Sequence, residues 1–75
     1  MSVNYDKLWK LLIDKKMKRT ELMKQAKISS NVLARMGKEE PVSLESIEKI
    51  CILLNCEIGD IIRFVNDKQV IDNIN

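Results

Sequence analysis

Histidine is absent from this chain, and cysteine occurs only twice, aromatics three times, glycine twice and proline once. Without histidine the commonest general base is missing. The acids do not pair into a pocket: Asp6, Asp14, Glu45, Glu48 and Asp60 read as helix-end or solvated charges, and there is no glycine-rich phosphate loop. An enzyme is not expected. A structural zinc site is not expected either, because Cys51 and Cys56 alone leave the metal short of four good ligands. Five residues apart across a helix end, the two cysteines also make a poor disulfide and read as reduced, buried, small hydrophobes. No cofactor is therefore expected. Tyr5, Trp9 and Phe64 are too few for a binder that stacks on single-stranded bases. No apolar run approaches the ~20 residues needed to span a membrane, and no signal-peptide pattern opens the chain. The expectation is a cytoplasmic protein with neither a membrane partner nor a small-molecule ligand.

What is present is a core and a charge pattern. Apolar residues make up 45% of the 75, enough for one domain without disulfide or metal staples. Leu, Ile, Lys, Glu and Met dominate, which together with scarce glycine and proline favours helices and short connections. The expected class is all-α. The net charge of +2 conceals an asymmetry. Lys15, Lys16, Lys18, Arg19, Lys24, Lys27, Arg35 and Lys38 are accompanied by one acid, Glu21, so that residues 15–38 carry +7 and the remainder −5. A basic block on an otherwise acidic domain is the footprint of a polyanion-binding face.

Periodicity orders the chain. Tyr5, Leu8, Trp9 and Leu12 share one face of a first helix over about Asn4 to Lys16, with Ile13 widening the stripe, Asn4 as N-cap and Trp9 as a core anchor. A second helix runs from about Arg19 to Ala26, with Leu22, Met23 and Ala26 inward. Lys27 is the turn residue and Ile28 pins the corner. Ser29 caps a third helix over Ser30 to about Met36, with Leu33 and Met36 inward and Ser30, Asn31, Ala34 and Arg35 outward. Gly37 is the expected left-handed stop. Ser43 caps a fourth helix that presents Leu44, Ile47, Ile50, Cys51 and Leu54, and Asn55 ends it. Cys56 and Ile58 re-enter the core. A short fifth helix over about Gly59 to Val65 buries Ile61, Ile62 and either Phe64 or Val65. The domain thus covers residues 1–66. Residues 67–75 form a tail whose Val70, Ile71 and Ile74 either pack back on the domain or dimerise.

Two short helices joined by a tight turn, the second polar outside and basic at its far end, have the helix-turn-helix layout. The RTEL opening of the second helix, the KISSNVLARMGKEE block and the VSLESIEKICILLNCEIGDII run together resemble the Xre family, the Cro and phage-repressor type of helix-turn-helix, from about Tyr5 to Val65. The resemblance implies a compact five-helix lambda-repressor-like domain with the helix-turn-helix at helices two and three. It places base-edge readers at Arg19, Ser30, Asn31 and Arg35, and phosphate contacts at Lys18, Ser29, Lys38 and Ser43. Arginine suits guanine and asparagine suits adenine in the major groove. Two positions depart from the pattern. Met23 stands where the family commonly has a small residue, and Lys27 where it commonly has glycine, the latter at about 1 kcal/mol if left-handed. Glu39 and Glu40, beside Lys38, would repel phosphate unless they point away.

The implied function is sequence-specific binding of double-stranded DNA as a transcriptional regulator, with repression the simplest mechanism. A reader this small needs a homodimer on two half-sites about 34 Å apart. The alternative is a protein-interaction module on the same fold, an antitoxin or antirepressor-like partner working through the tail.

Overall fold

A computed structural model describes residues 2–65; Met1 and residues 66–75 lie outside it, and with them the expectations for Val70, Ile71 and Ile74. The order is strand β1 (Ser2–Asn4), helices α1 (Asp6–Asp14), α2 (Arg19–Ala26), α3 (Ser30–Gly37) and α4 (Leu44–Leu54), a 3-10 turn (Ile58–Asp60) and strand β2 (Arg63–Val65). The two strands pair antiparallel, Ser2 opposite Val65, Val3 opposite Phe64 and Asn4 opposite Arg63.

The core is the sum of the inward stripes. Tyr5, Leu8 and Leu12 come from the first segment, Leu22 and Ala26 from α2, Ile28 from the turn, Met36 from α3, and Ile47, Ile50 and Leu54 from α4. Val3 and Ile61 close it from the two ends of the described chain. Trp9, Met23, Val32, Cys51, Cys56 and Ile62 pack against it half-buried.

The expected fifth helix is absent, and the fold is mostly helical rather than all-α: four helices among the described residues, with a two-stranded ribbon. The cause is local. The Asp60 carboxylate accepts the Glu57 N–H at 2.9 Å and closes a single 3-10 turn. The Ile61–Ile62–Arg63–Phe64–Val65 run is rich in β-branched and aromatic residues, which favour extended pairing, and so short a helix would gain little to offset its nucleation cost. Three apolar residues expected inside are exposed: Ile13 and Leu44, each 75%, and Ile58. Ile13 lies about 100° round α1 from buried Leu12, and Leu44 occupies the first position of α4, ahead of the buried stripe. Phe64, 68% exposed, follows from the ribbon that replaced the helix.

All four helices close in the same way. Lys16, Lys27, Glu39 and Asn55 have φ between 53° and 59°, in the left-handed region. The N–H of the following residue then reaches the carbonyl five residues back: Met17 to Leu12, Ile28 to Met23, Glu40 to Arg35 and Cys56 to Cys51, at 2.9–3.1 Å. These are Schellman-type closures made without glycine. Gly37 is not the left-handed cap expected of it. It is the last residue of α3, neither glycine has a positive φ, and Glu39 makes the turn two residues later.

Candidate nucleic-acid interface

The arrangement of α2, the turn and α3 follows from three local devices. Lys27, at φ 59° and ψ 42°, ends α2 and reverses the chain. Ile28, 7% exposed, anchors the reversal in the core. Ser29 then adopts extended backbone, and its Oγ accepts the Val32 N–H at 3.1 Å, satisfying an orphan donor of the first turn of α3. At the start of α2 the Glu21 carboxylate accepts the Lys18 N–H at 3.1 Å. On the inner side of α3 Met36 is fully buried, as is Leu22 of α2. Val32, one turn before Met36, packs against the core, while Leu33 is half-buried on the flank.

Ser30, Asn31, Ala34 and Arg35 are all exposed, so α3 presents one short polar face. Lys18, Ser29, Lys38 and Ser43 are exposed as well. The two serines already serve as caps. Ser43 Oγ accepts the Ser46 N–H at 3.2 Å and lies 3.0 Å from Ser46 Oγ. The Ser29 hydroxyl is an acceptor in its cap and keeps its own proton for an outside oxygen. Among the described residues the ion pair within 4.0 Å is Lys49–Glu45 on α4, so the basic residues of α2 and α3 have no carboxylate at that distance. The Glu39 carboxylate accepts from Asn4 Nδ2 at 3.4 Å and is thereby engaged by β1.

Arg19 is exposed and does not extend freely into solvent. Its Cζ lies 3.7 Å from the centroid of the Trp9 ring. Its Nη1 is 3.9 Å from the point a Cβ on Gly37 would occupy. Trp9, expected as a core anchor, is half-buried and holds a cation on its face. Neither the Trp9–Arg19 pairing nor the link to Gly37 has a signal in helical periodicity, since three separate elements meet there.

Away from this face, Val3, Val42, Leu44, Ile58, Ile62 and Phe64 help to line an open apolar groove of 220 Å³. Cys51 and Cys56 are both free thiols. Burial, reinforced by neighbouring Cys56, Glu57 and Asp60, pushes the Cys51 thiol up to about 11, which keeps it protonated and unreactive near neutrality. No group of three or more potential metal-ligating His, Cys, Asp or Glu side chains occurs among the described residues, and none of the described helices is long and apolar enough to cross a membrane.

The family model for the Cro/C1-type HTH DNA-binding domain matches residues 7–67. Among solved structures, the crystal structure of the transcriptional regulator VanUg (Form II) is similar, with a TM-score of 0.85 and 47% sequence identity over 88% of each chain. No curated protein matches the chain.

Proposed function

The chain belongs to the Cro/C1-type helix-turn-helix DNA-binding family, and from that membership we propose that it binds double-stranded DNA sequence-specifically as a cytoplasmic transcriptional regulator, most simply a repressor. The observation that carries this reading is the exposed row Ser30, Asn31, Ala34 and Arg35 on a helix whose opposite side is held by buried Met36.

In the proposed mechanism α3 enters the major groove. Asn31 pairs with an adenine edge, Arg35 reaches guanine O6 and N7, and Ser30 adds a contact near the helix start. Lys18, Ser29, Lys38 and Ser43 take phosphate oxygens and fix the register. Cation-rich helix ends with no ion-pair partner among the described residues support that division, because phosphate contacts supply affinity without sequence information. A homodimer would place two α3 helices on half-sites about 34 Å apart. Repression follows from occlusion of a promoter.

The test is selection from a randomised duplex pool, followed by fluorescence anisotropy at two salt concentrations. The expected result is an enriched inverted repeat bound with an affinity that falls steeply with salt. Salt-sensitive binding with no enriched motif would reject sequence specificity, and an absence of binding at low salt would reject DNA as the ligand.

A further inference from the structure

Arg19 occupies the first position of α2, where the helix dipole disfavours a cation, and no carboxylate among the described residues lies within 4.0 Å of it. Trp9 holds it instead. The guanidinium carbon sits 3.7 Å from the indole centroid, and the indole is itself half-buried with the Tyr5 ring 6.4 Å away. A guanidinium gripped through its face keeps its N–H groups in the plane, directed away from the ring. That plane borders the last turn of α3, with Nη1 3.9 Å from where a Cβ on Gly37 would stand. Gly37 has no positive φ, and a Cβ there would meet the Arg19 guanidinium at ordinary van der Waals distance, so the two are near neighbours without crowding.

Position along α3 then decides what Arg19 can touch. Ser30 and Gly37 are the first and last residues of that helix, about 10 Å apart along its axis at 1.5 Å per residue. The guanidinium therefore lies beside Gly37, on α2 and at the end of α3 remote from Ser30 and Asn31, rather than in the outward row of α3 that includes Arg35. Base edges are read mainly from the N-terminal part of a recognition helix, whereas its flanks meet the backbone.

Resting on the DNA-binding reading, we propose that Trp9 is a positioning residue that fixes Arg19 as a phosphate clamp beside Lys38, and that Arg19 does not read a base. The ligand is the phosphodiester backbone, whose paired oxygens suit two parallel N–H donors. Trp9 does not itself contact DNA.

The experiment compares Arg19→Ala, Arg19→Lys, Trp9→Leu and the Trp9→Leu/Arg19→Ala double variant in the full chain. Each is titrated against the selected duplex and a random duplex over a range of salt. Arg19→Ala is expected to weaken both duplexes by the same several-fold factor and to shallow the salt slope by about 0.9, the value of one phosphate. Trp9→Leu is expected to reproduce part of that loss, with no further loss when added to Arg19→Ala. Arg19→Lys, which keeps the charge without the plane, should bind more weakly than wild type. Trp9 is the chain's one tryptophan, so its emission in the unbound Arg19 variants reports loss of the stack directly.

A loss confined to the selected sequence would make Arg19 a base reader and overturn the proposal. So would losses that add in the double variant, since a merely structural Trp9 would act independently of Arg19. If Trp9→Leu does not fold, Arg19→Lys carries the decision, and wild-type affinity in that variant overturns the clamp. A wild-type chain that binds no duplex would instead overturn the DNA reading and the clamp with it.

Discussion

The phenolic hydroxyl of Tyr5 donates to the main-chain carbonyl of Glu40 at 2.7 Å, tying the start of α1 to the loop by which the chain leaves α3. Tyr5 is 1% exposed, so its hydroxyl needs a partner inside the protein. Asn4 works beside it. Its Oδ1 accepts the Asp6 N–H at 2.9 Å, a capping bond made from one residue before the helix's geometric N-cap, and its Nδ2 donates to Glu39. The N-terminal segment thus engages the Glu39 carboxylate and the Glu40 main chain, just after Lys38.

Removing that hydroxyl leaves the Glu40 carbonyl short of a partner. Tyr5→Phe is expected to cost about 0.5–1.5 kcal/mol, seen as a lower urea midpoint with an unchanged m-value. An unaltered midpoint would mean that water replaces the phenol at no cost.

Glycine is absent where the backbone favours it and present where it is not needed. Lys27 holds φ 59°, while Gly37 lies in a helix with ordinary van der Waals space for a Cβ. Lys27→Gly relieves a left-handed strain of about 1–2 kcal/mol, offset by roughly 0.5–1 kcal/mol of added unfolded-state entropy. A net gain of up to about 1.5 kcal/mol is expected. Gly37→Ala should gain about 0.5–1 kcal/mol from helix propensity. Thermal denaturation of both variants checks the sign, and a lower melting temperature for either would contradict the backbone geometry described above.

Two groups make the folded state sensitive to alkali. Burial raises the Tyr5 phenol, and burial with the neighbouring Cys56, Glu57 and Asp60 raises the Cys51 thiol from 9.0 to about 11. A raised pKa on an acid means that the folded state holds its proton longer than the unfolded chain does. The contribution to stability is complete below the unfolded value and is lost as pH climbs toward the folded one. Melting temperature should therefore fall between about pH 9 and pH 11, and Cys51→Ala should flatten that fall whatever its stability at neutral pH. An equal slope in Cys51→Ala would exclude the thiol as a source.

The helix-turn-helix was legible because its determinants are local. Ser29 as a cap, Ile28 as an apolar pin and Lys27 as a turn residue each act within a few residues, and α2 has the bounds read from the sequence, Arg19–Ala26. The ribbon was not legible, because Ser2–Asn4 and Arg63–Val65 gain their strand character from each other across most of the chain. Ile61 and Ile62, just ahead of β2, suit a helix or an extended segment equally by hydrophobicity. The Trp9–Arg19 stack was hidden for the same reason. A half-buried tryptophan and a core tryptophan present the same letter at the same helical spacing.

The division of labour on α3 gives the sharpest test of the proposed interface. Arg35 and Lys38 are three residues apart at the end of one helix, both exposed, with no carboxylate among the described residues within 4.0 Å. If Arg35 donates two hydrogen bonds to a guanine edge, Arg35→Ala should cost about 1–3 kcal/mol at the selected site, relax preference at one base pair and leave random DNA nearly unaffected. If Lys38 meets a phosphate, Lys38→Ala should weaken all duplexes alike and reduce the salt slope by about 1. Titrations of both variants against matched, single-substituted and random duplexes separate the two roles. Equal losses on selected and random DNA for both variants would mean that the whole face binds backbone only, and that sequence preference, where it exists, comes from DNA shape rather than from the outward side chains of α3.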